Sequence, residues 1–187
     1  MKKNLKSSLI LTLILILLLG FIYPLVIRSI AYISHGSGNG VETVYKGKVV
    51  GFDLIGQSFT EDKYFQGRPS AVSYNAAGSG GSNKSIYNPE YINVMQARLD
   101  TFLRHNPEIR KADVPVELIT ASGSGLDPDI SPAAALVQVP RISSARGIRQ
   151  EKIQQLVRQM TIKPFLGFIG VEKVNVLKIN IELDKLK

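Results

Sequence analysis

Residues 122–129 place two serines and two carboxylates close together, in the order Ser-Gly-Ser-Gly-Leu-Asp-Pro-Asp. A serine hydrolase needs glycine two positions before and after its serine, and a histidine that can act as the base. Ser124 lacks that glycine pattern, and the two histidines, His35 and His105, stand in a linker and at a predicted helix end. The two carboxylates could bind a hard cation, but the spacing of a calcium loop is missing. We therefore predict a turn here, with no catalytic residue and no metal site.

A second glycine-rich stretch occupies residues 78–83, with the sequence Gly-Ser-Gly-Gly-Ser-Asn. Backbone amides in such a stretch could hold a phosphate. However, the Gly-Lys-Ser/Thr ending of a nucleotide P-loop is missing, and no predicted strand leads into the stretch. A tight loop that requires positive φ angles is the favoured interpretation.

A polar amide, Gln138, stands in an apolar stretch beside Pro140 and Arg141. An amide in such a position usually satisfies buried backbone groups. A role in binding a ligand stays open, because the residue types alone do not decide it.

The composition limits the possible functions. The chain has 187 residues, a net charge of +8 and no cysteine. Disulfides, thiolate metal ligands and a cysteine nucleophile are therefore excluded. Half of the net charge lies in the first 28 residues, which hold no acid, and the rest of the chain interleaves acids and bases. A clustered basic face is absent from this pattern, so we predict no nucleic-acid partner.

Residues 9–27 contain no charged side chain, and the apolar run can continue to Ile33. About 20 residues suffice to cross a hydrocarbon core roughly 30 Å thick. Lys2, Lys3 and Lys6 precede the run, which predicts a cytoplasmic N-terminus and an extracytoplasmic remainder. A cleaved signal peptide is the alternative, but its apolar core would be only about 7–15 residues long. We predict a retained, single-pass anchor in the cell membrane, with lipid as its partner, and expect Pro24 to kink the helix or to mark its exit.

The predicted domains are the anchor at residues 1–33, a linker at 34–43 and an extracytoplasmic domain at 44–187. Residues 44–55 predict a strand or hairpin, and 56–85 an ordered, irregular loop. Helices are expected after the capping residues Asn88, Ser131 and Ser143 or Ser144. Leu177, Ile179, Ile181 and Leu183 alternate with polar residues, which predicts a half-buried strand. The fold class is α+β.

The order of these motifs resembles one family, the C subunit of the Kdp-type potassium-transporting ATPase. The resemblance covers nearly the whole chain. The segments that carry it are Tyr23-Pro24, Leu54-Ile55-Gly56-Gln57, residues 65–71, Tyr74-Asn75, residues 79–83, residues 120–128, residues 130–134, Gln138, Pro140-Arg141 and residues 174–177. The chain departs from the family pattern in two places: the family usually has histidine at Asp129 and Leu-Gly-Pro in place of residues 84–86.

The resemblance implies an accessory subunit that catalyses no reaction of its own. Its partners would be a channel-like subunit that selects potassium and a P-type ATPase subunit that hydrolyses ATP. It would join the two and act as a catalytic chaperone that raises the affinity of the ATPase subunit for ATP. No tightly bound cofactor is implied, but ATP is a possible ligand of the complex, with Gln138 as the nucleotide-binding residue.

An extracytoplasmic domain would meet little ATP, so the predicted topology conflicts with direct contact. Such a domain can still raise ATP affinity by favouring the pump conformation that binds ATP. Coupling of this kind is typically about 1–3 kcal/mol and is reciprocal.

We expect the glycine-rich loops to form the surface that docks on the channel-like subunit, because glycine permits close backbone approach and loops often carry function. Arg68 is the expected anchor, since its planar fork binds carboxylates or carbonyls at two points, although it could equally tie down its own loop. Two other functions stay open: an anchored small-ligand-binding module and an anchored hydrolase. The predicted docking residues are Arg68, Gly80, Gly81, Asn83, Ser122, Ser124 and Asp127.

Overall fold

A computed structural model describes residues 2–186. Met1, the first residue of the predicted anchor, and Lys187, the last residue of the predicted extracytoplasmic domain, lie outside the described residues. The chain forms two compact units that divide between Glu42 and Thr43.

The apolar run of the first unit forms the predicted helix, which continues to Ile33. It consists of α1 (Lys2–Leu17), a π-helical turn (Leu18–Ile22) and α2 (Tyr23–Ile33). The backbone N–H of Tyr23 bonds to the carbonyl of Leu18, five residues earlier. Pro24 follows at the start of α2. Proline removes one helical hydrogen bond and crowds the preceding turn, and the wider π turn makes room for its ring.

This helix has the length and composition of a membrane span. It covers the 30 residues of Asn4–Ile33, its most apolar 18-residue window has a mean hydropathy of 2.9, and none of that window is buried within the protein. At 1.5 Å per residue the helix is about 45 Å long, which exceeds a hydrocarbon core of roughly 30 Å. Exposed Leu and Ile side chains on all sides of this helix suit a lipid environment.

The predicted hairpin stands at the start of the second unit and is formed by β1 (Glu42–Tyr45), which begins one residue before the boundary, and β2 (Lys48–Phe52). Lys46 and Gly47 join the strands with φ angles of 50° and 75°. Two consecutive positive φ angles define the tight turn that matches the twist of paired strands.

The helices and the one short strand pair that follow the hairpin confirm the α+β class. Asn88 and Ser131 cap helices as predicted, because their side chains accept hydrogen bonds from the N–H groups of Tyr91 and Ala134. The strands β3 and β4 pair antiparallel, with Ile130 opposite Val174. The elements in chain order are α3 (Pro89–His105), β3 (Asp129–Ile130), α4 (Pro132–Leu136), α5 (Val139–Arg146), α6 (Gln150–Met160), β4 (Val174–Asn175) and α7 (Val176–Leu183).

The core lies where α4–α7 pack together with the end of α3 and with one side chain of the irregular segment. Phe65 supplies that side chain and is fully buried. The other large members include Phe102, Ile130, Ile142, Ile153, Val157, Ile179 and Leu183.

The strand predicted at 177–183 is wrong, because these residues form α7. Asn175 caps the helix by accepting a hydrogen bond from the N–H of Lys178. Val176, Ile179 and Leu183 then point into the core at helical spacing. A short alternating run fits both periods, and packing against α6 decides between them.

The helix predicted to start at Ser143 or Ser144 is also wrong. Both serines lie inside α5, which ends at Gly147 in the left-handed conformation, with φ of 66°. The Ser143 hydroxyl donates to the carbonyl of Ile148 at 2.6 Å, beyond that end. Glycine is favoured at position 147 because a residue with a Cβ would be strained in this conformation. Helix α5 therefore ends there, before α6 begins.

Candidate functional site

The segment 56–85 connects β2 to α3 and contains no helix or strand, although every residue in it is described. Its path is fixed by side chains from distant parts of the sequence. The predicted ordered loop is therefore present, and two separate sets of contacts hold it.

The first set is a polar clamp formed by Gln138, Arg141 and Asn180. The Asn180 amide accepts from the Phe65 N–H at 2.8 Å and donates to the Phe65 carbonyl at 2.9 Å. The Gln138 amide does the same for Gln66, at 2.8 and 3.1 Å. Each amide thus replaces the partner that a neighbouring strand would offer to an extended backbone.

Arg141 completes the polar clamp. Its guanidinium donates to the carbonyls of Asp62 at 2.5 Å and Tyr64 at 3.1 Å. It also donates to the side-chain oxygens of Gln138 at 2.7 Å and Asn106 at 3.1 Å. Burial lowers the pKa of Arg141, and the nearby Asp62 charge opposes that shift. The group stays charged, because arginine titrates far above neutral pH.

The Gln138 side chain has no polar capacity left for a ligand in this structure. It is 0% exposed. Its oxygen accepts from Gln66 and Arg141, while its nitrogen donates to Gln66 and to Ala134 at 3.0 Å. An amide offers two donors and two acceptor lone pairs, so all four are used. A nucleotide could reach Gln138 only if the irregular segment moved away, and the predicted nucleotide role stays a prediction.

The second set of contacts joins two loops, residues 67–83 and 122–127, which we call the loop pair. Backbone carbonyls accept in these contacts, and backbone N–H groups and serine hydroxyls donate. The bonds are Ser122 N–H to Pro69 O at 3.0 Å, Gly80 N–H to Ser124 O at 2.8 Å, Ser79 Oγ to Ser124 O at 3.0 Å and Ser70 Oγ to Gly125 O at 2.6 Å. The Gly80 amide is therefore occupied, which leaves it unavailable for a phosphate.

Glycine is required where the two loops meet. Gly125 has φ of 68°, and a Cβ there would lie 2.7 Å from the Gly80 carbonyl oxygen. A Cβ on Gly81 would lie 2.9 Å from the Gly123 carbonyl oxygen. Any larger residue at these positions would push the loops apart.

One ion pair crosses the loop pair. Arg68 Nη1 lies 3.1 Å from Asp127 Oδ2, and the two side chains are 25% and 29% exposed. Arg68 Nε is buried and has no hydrogen-bond partner among the described residues. The Tyr74 hydroxyl donates to the Arg68 carbonyl. Burial raises the pKa of Tyr74, the Asp127 charge raises it further, and Arg68 opposes both.

The structure brings most of the predicted docking residues together in the loop pair. Arg68 contacts Asp127, and Gly80 contacts Ser124. Ser122 is only 2% exposed, so it supports the loops from beneath. Asn83 is exposed and left-handed, with φ of 50°. Docking itself stays a prediction.

Sequence reasoning missed Asn180 and the part that Arg141 plays. Asn180 belonged to the alternating pattern of 177–183, which as a strand would have turned it towards solvent. In α7 it is 2% exposed and faces Phe65 instead. A polar residue within an apolar helical stripe was the signal that could have identified it.

Two other chemically capable residues, His105 and Asp129, have side-chain partners. His105 Nδ1 lies 2.8 Å from Asp62 Oδ1. Asp129 pairs with Lys173 at 2.6 Å beside the short strands. Among the described residues, no group of three His, Asp or Glu side chains could hold a metal ion.

Comparison with known proteins gives one family. The model for "K+-transporting ATPase, c chain" matches residues 5–185. The potassium-transporting ATPase KdpC subunit of Flavobacterium psychrophilum is 49% identical over 185 residues, which cover 99% of this chain and 100% of the relative. The KdpC subunit of Bacteroides fragilis is 47% identical over 188 residues, covering 99% and 98%. That of Clostridioides difficile is 38% identical over 203 residues, covering 98% of each chain.

Proposed function

Because the chain belongs to the KdpC family, the c chain of K+-transporting ATPases, we propose that it is a non-hydrolysing subunit of an ATP-driven potassium import complex. The observation that carries this proposal is the match over residues 5–185, which includes both the apolar helix and the second unit. In this role it joins a channel-like subunit to a P-type ATPase subunit.

The proposed topology places the N-terminus in the cytoplasm and the second unit outside. Lys2, Lys3 and Lys6 support it, because lysines beside a span stay on the cytoplasmic side. A reporter that is active only outside the cytoplasm, fused after Lys187, should then be active. Activity only from a cytoplasmic reporter would reverse the orientation.

The subunit raises the ATP affinity of the complex through conformation rather than by touching ATP. The saturated hydrogen bonds of Gln138 support this mechanism, because no polar group of that side chain is free for a nucleotide. A subunit that binds the ATP-competent pump conformation more tightly shifts the pump towards that state.

Co-expression with the other subunits tests the proposal. Complexes made with and without this chain are compared for potassium-stimulated ATPase activity across ATP concentrations. Without the chain, the ATP concentration that gives half-maximal activity should rise by about 5–150-fold, as expected for coupling of about 1–3 kcal/mol. ATPase activity of the purified chain alone, or the absence of any fixed ratio with larger membrane proteins, would contradict the proposal.

Direct ATP contact is tested separately on the isolated full chain in detergent. We expect no saturable binding of labelled ATP at millimolar concentration, either to the native chain or to Gln138→Glu. Binding that Gln138→Glu abolishes, while Gln96→Glu on the exposed face of α3 leaves it intact, would establish the contact instead.

The alternative, an anchored small-ligand-binding module, has one structural feature in its favour. A cleft of about 470 Å³ lies between the irregular segment and α3, and Arg68, Arg98 and Phe102 contribute to its lining. It is an open groove of mixed polarity. In the same co-expression experiment, a ligand-binding module would purify without the pump subunits.

A further inference from the structure

An apolar hairpin, residues 162–173, connects α6 to β4. Ile162 and Lys173 exchange two backbone hydrogen bonds, at 2.8 and 3.1 Å, and Phe165 and Ile169 exchange two more, both at 2.9 Å. Leu166 and Gly167 turn the chain with φ angles of 53° and 82°. The tip of the apolar hairpin is therefore tight and presents its side chains close together.

The tip is uncovered by other described residues. Its large apolar side chains are between 52% and 76% exposed. Contiguous apolar exposure on this scale marks a surface that contacts something else. The side chains concerned are Phe165, Leu166, Phe168, Ile169 and Val171.

The chemistry of the apolar hairpin favours lipid over a protein partner. Residues 164–171 contain no side chain that can donate or accept a hydrogen bond. Protein interfaces carry roughly one hydrogen bond per 100–200 Å² and favour Tyr, Trp, Phe, Met and Arg, of which only Phe occurs here. Lipid demands the opposite: apolar side chains and a backbone that satisfies itself. The cross-hairpin bonds supply that backbone pairing.

The covalent chain also keeps this unit near a bilayer. Residues 34–42 separate the apolar helix from the second unit, and nine residues span about 30 Å at most when fully extended. A surface loop needs to bury its apolar side chains only about 5–10 Å below the head groups to be held there. Lys163, at the base of the apolar hairpin, can keep its ammonium group among the head groups while its stem lies along them.

We propose that the apolar hairpin inserts its tip into the bilayer interface and forms a second, non-spanning membrane contact. This contact would limit how far the second unit can tilt or rotate about its linker. The inference rests on the proposed anchoring by the N-terminal helix, because without the anchor the hairpin would meet no bilayer.

Single-cysteine labelling of the full chain tests this contact cleanly, because the native sequence has no cysteine. Phe168→Cys carries an environment-sensitive fluorophore at the tip. Leu17→Cys reports on the span, and Val116→Cys is a control in the second unit with 66% exposure. Each labelled chain is reconstituted alone in liposomes of phosphatidylcholine and phosphatidylglycerol, with and without brominated acyl chains.

Brominated lipid should quench the labels at positions 168 and 17, and leave the label at 116 unchanged. Phe165→Ser combined with Leu166→Ser should remove the quenching at 168, while Ile86→Ser with Tyr87→Ser, an exposed pair elsewhere, should not. Quenching at 17 without quenching at 168 overturns the inference and leaves the anchor intact. A label at 168 that becomes shielded only when the other pump subunits are added also overturns it, in favour of a protein contact. The absence of quenching at both positions would remove the anchor and the inference together.

Discussion

The two halves of the irregular segment are held by different chemistry. Residues 61–66 are fixed by the polar clamp, whose three side chains are between 0% and 6% exposed. Residues 67–83 are fixed against residues 122–127 by backbone and serine-hydroxyl hydrogen bonds, close glycine contacts and the partly exposed ion pair of Arg68 and Asp127. One half thus depends on buried polar side chains, and the other on surface contacts between two loops that glycines allow to approach closely.

This difference assigns different tasks to the two halves. The polar clamp lies within the core and sets the position of Phe65, which is itself a core residue. Disturbing it should therefore damage the whole second unit. The loop pair lies nearer the surface, so changes there should lower global stability less than changes in the polar clamp do, and should alter local shape and assembly more.

The largest loss of stability should come from Arg141→Ala, which breaks the polar clamp. The substitution leaves several carbonyl and amide oxygens without their donor, which should lower the free energy of unfolding by about 3–5 kcal/mol. Urea unfolding of the full chain in detergent, followed by near-ultraviolet circular dichroism of the tyrosines, measures this. Arg104→Ala, on the exposed face of α3, should change stability by no more than about 0.5 kcal/mol. Equal effects of the two substitutions would contradict the clamp.

A smaller loss should follow Gly125→Ala in the loop pair. The alanine Cβ would meet the Val72 side chain at 2.6 Å, and the residue would hold a strained positive φ. We therefore expect the free energy of unfolding, measured by the same urea unfolding, to fall by about 2–3 kcal/mol. Gly78→Ala is the matched control, because a Cβ there meets nothing within 4 Å. If Gly125→Ala were as well tolerated as Gly78→Ala, the loops would not need their close approach.

Arg68→Ala separates stability from assembly. Its ion pair with Asp127 is partly exposed, so removal should cost about 1 kcal/mol or less. If the loop pair docks on the channel-like subunit, the same substitution should greatly reduce co-purification with that subunit. Arg110→Ala removes an exposed ion pair elsewhere and should leave both properties unchanged. A large fall in melting temperature with assembly intact would make Arg68 a structural residue only.

The smallest predicted effect concerns alkaline pH. The pKa of Tyr74 is raised in the folded chain, so the unfolded chain loses this proton first as pH rises through about 10. The unfolded state then binds fewer protons than the folded state, and stability falls with pH. Below that range the contribution is fully present. Urea midpoints measured from neutral to alkaline pH should therefore fall less steeply for Tyr74→Phe than for the native chain. Tyr87→Phe, an exposed control, should follow the native chain.

Several elements could be predicted because their signals are local. The caps at Asn88 and Ser131 and the turn at Lys46-Gly47 each depend on a few consecutive residues. The irregular character of 56–85 followed from its Gly, Ser and Asn content. By contrast, the break between α5 and α6 was missed, although Gly147 offered a signal for it. Ser143 was predicted to be a cap because serine is a favoured N-cap residue. Its neighbours along the chain gave no sign that its hydroxyl would donate to the carbonyl of Ile148.

The sequence by itself determined the apolar helix, the α+β class and the resemblance to one family. Hydropathy, helix capping and the order of motifs depend only on which residues follow one another along the chain. Only the tertiary structure decided that 177–183 is a helix and that Ser122 lies beneath the loops. It also decided that the side chain of Gln138 hydrogen-bonds to the backbone of Gln66, and that of Asn180 to the backbone of Phe65. The physical reason is distance along the chain. Asn180 meets Phe65 across 115 residues and Gln138 meets Gln66 across 72, and no local pattern encodes such a meeting.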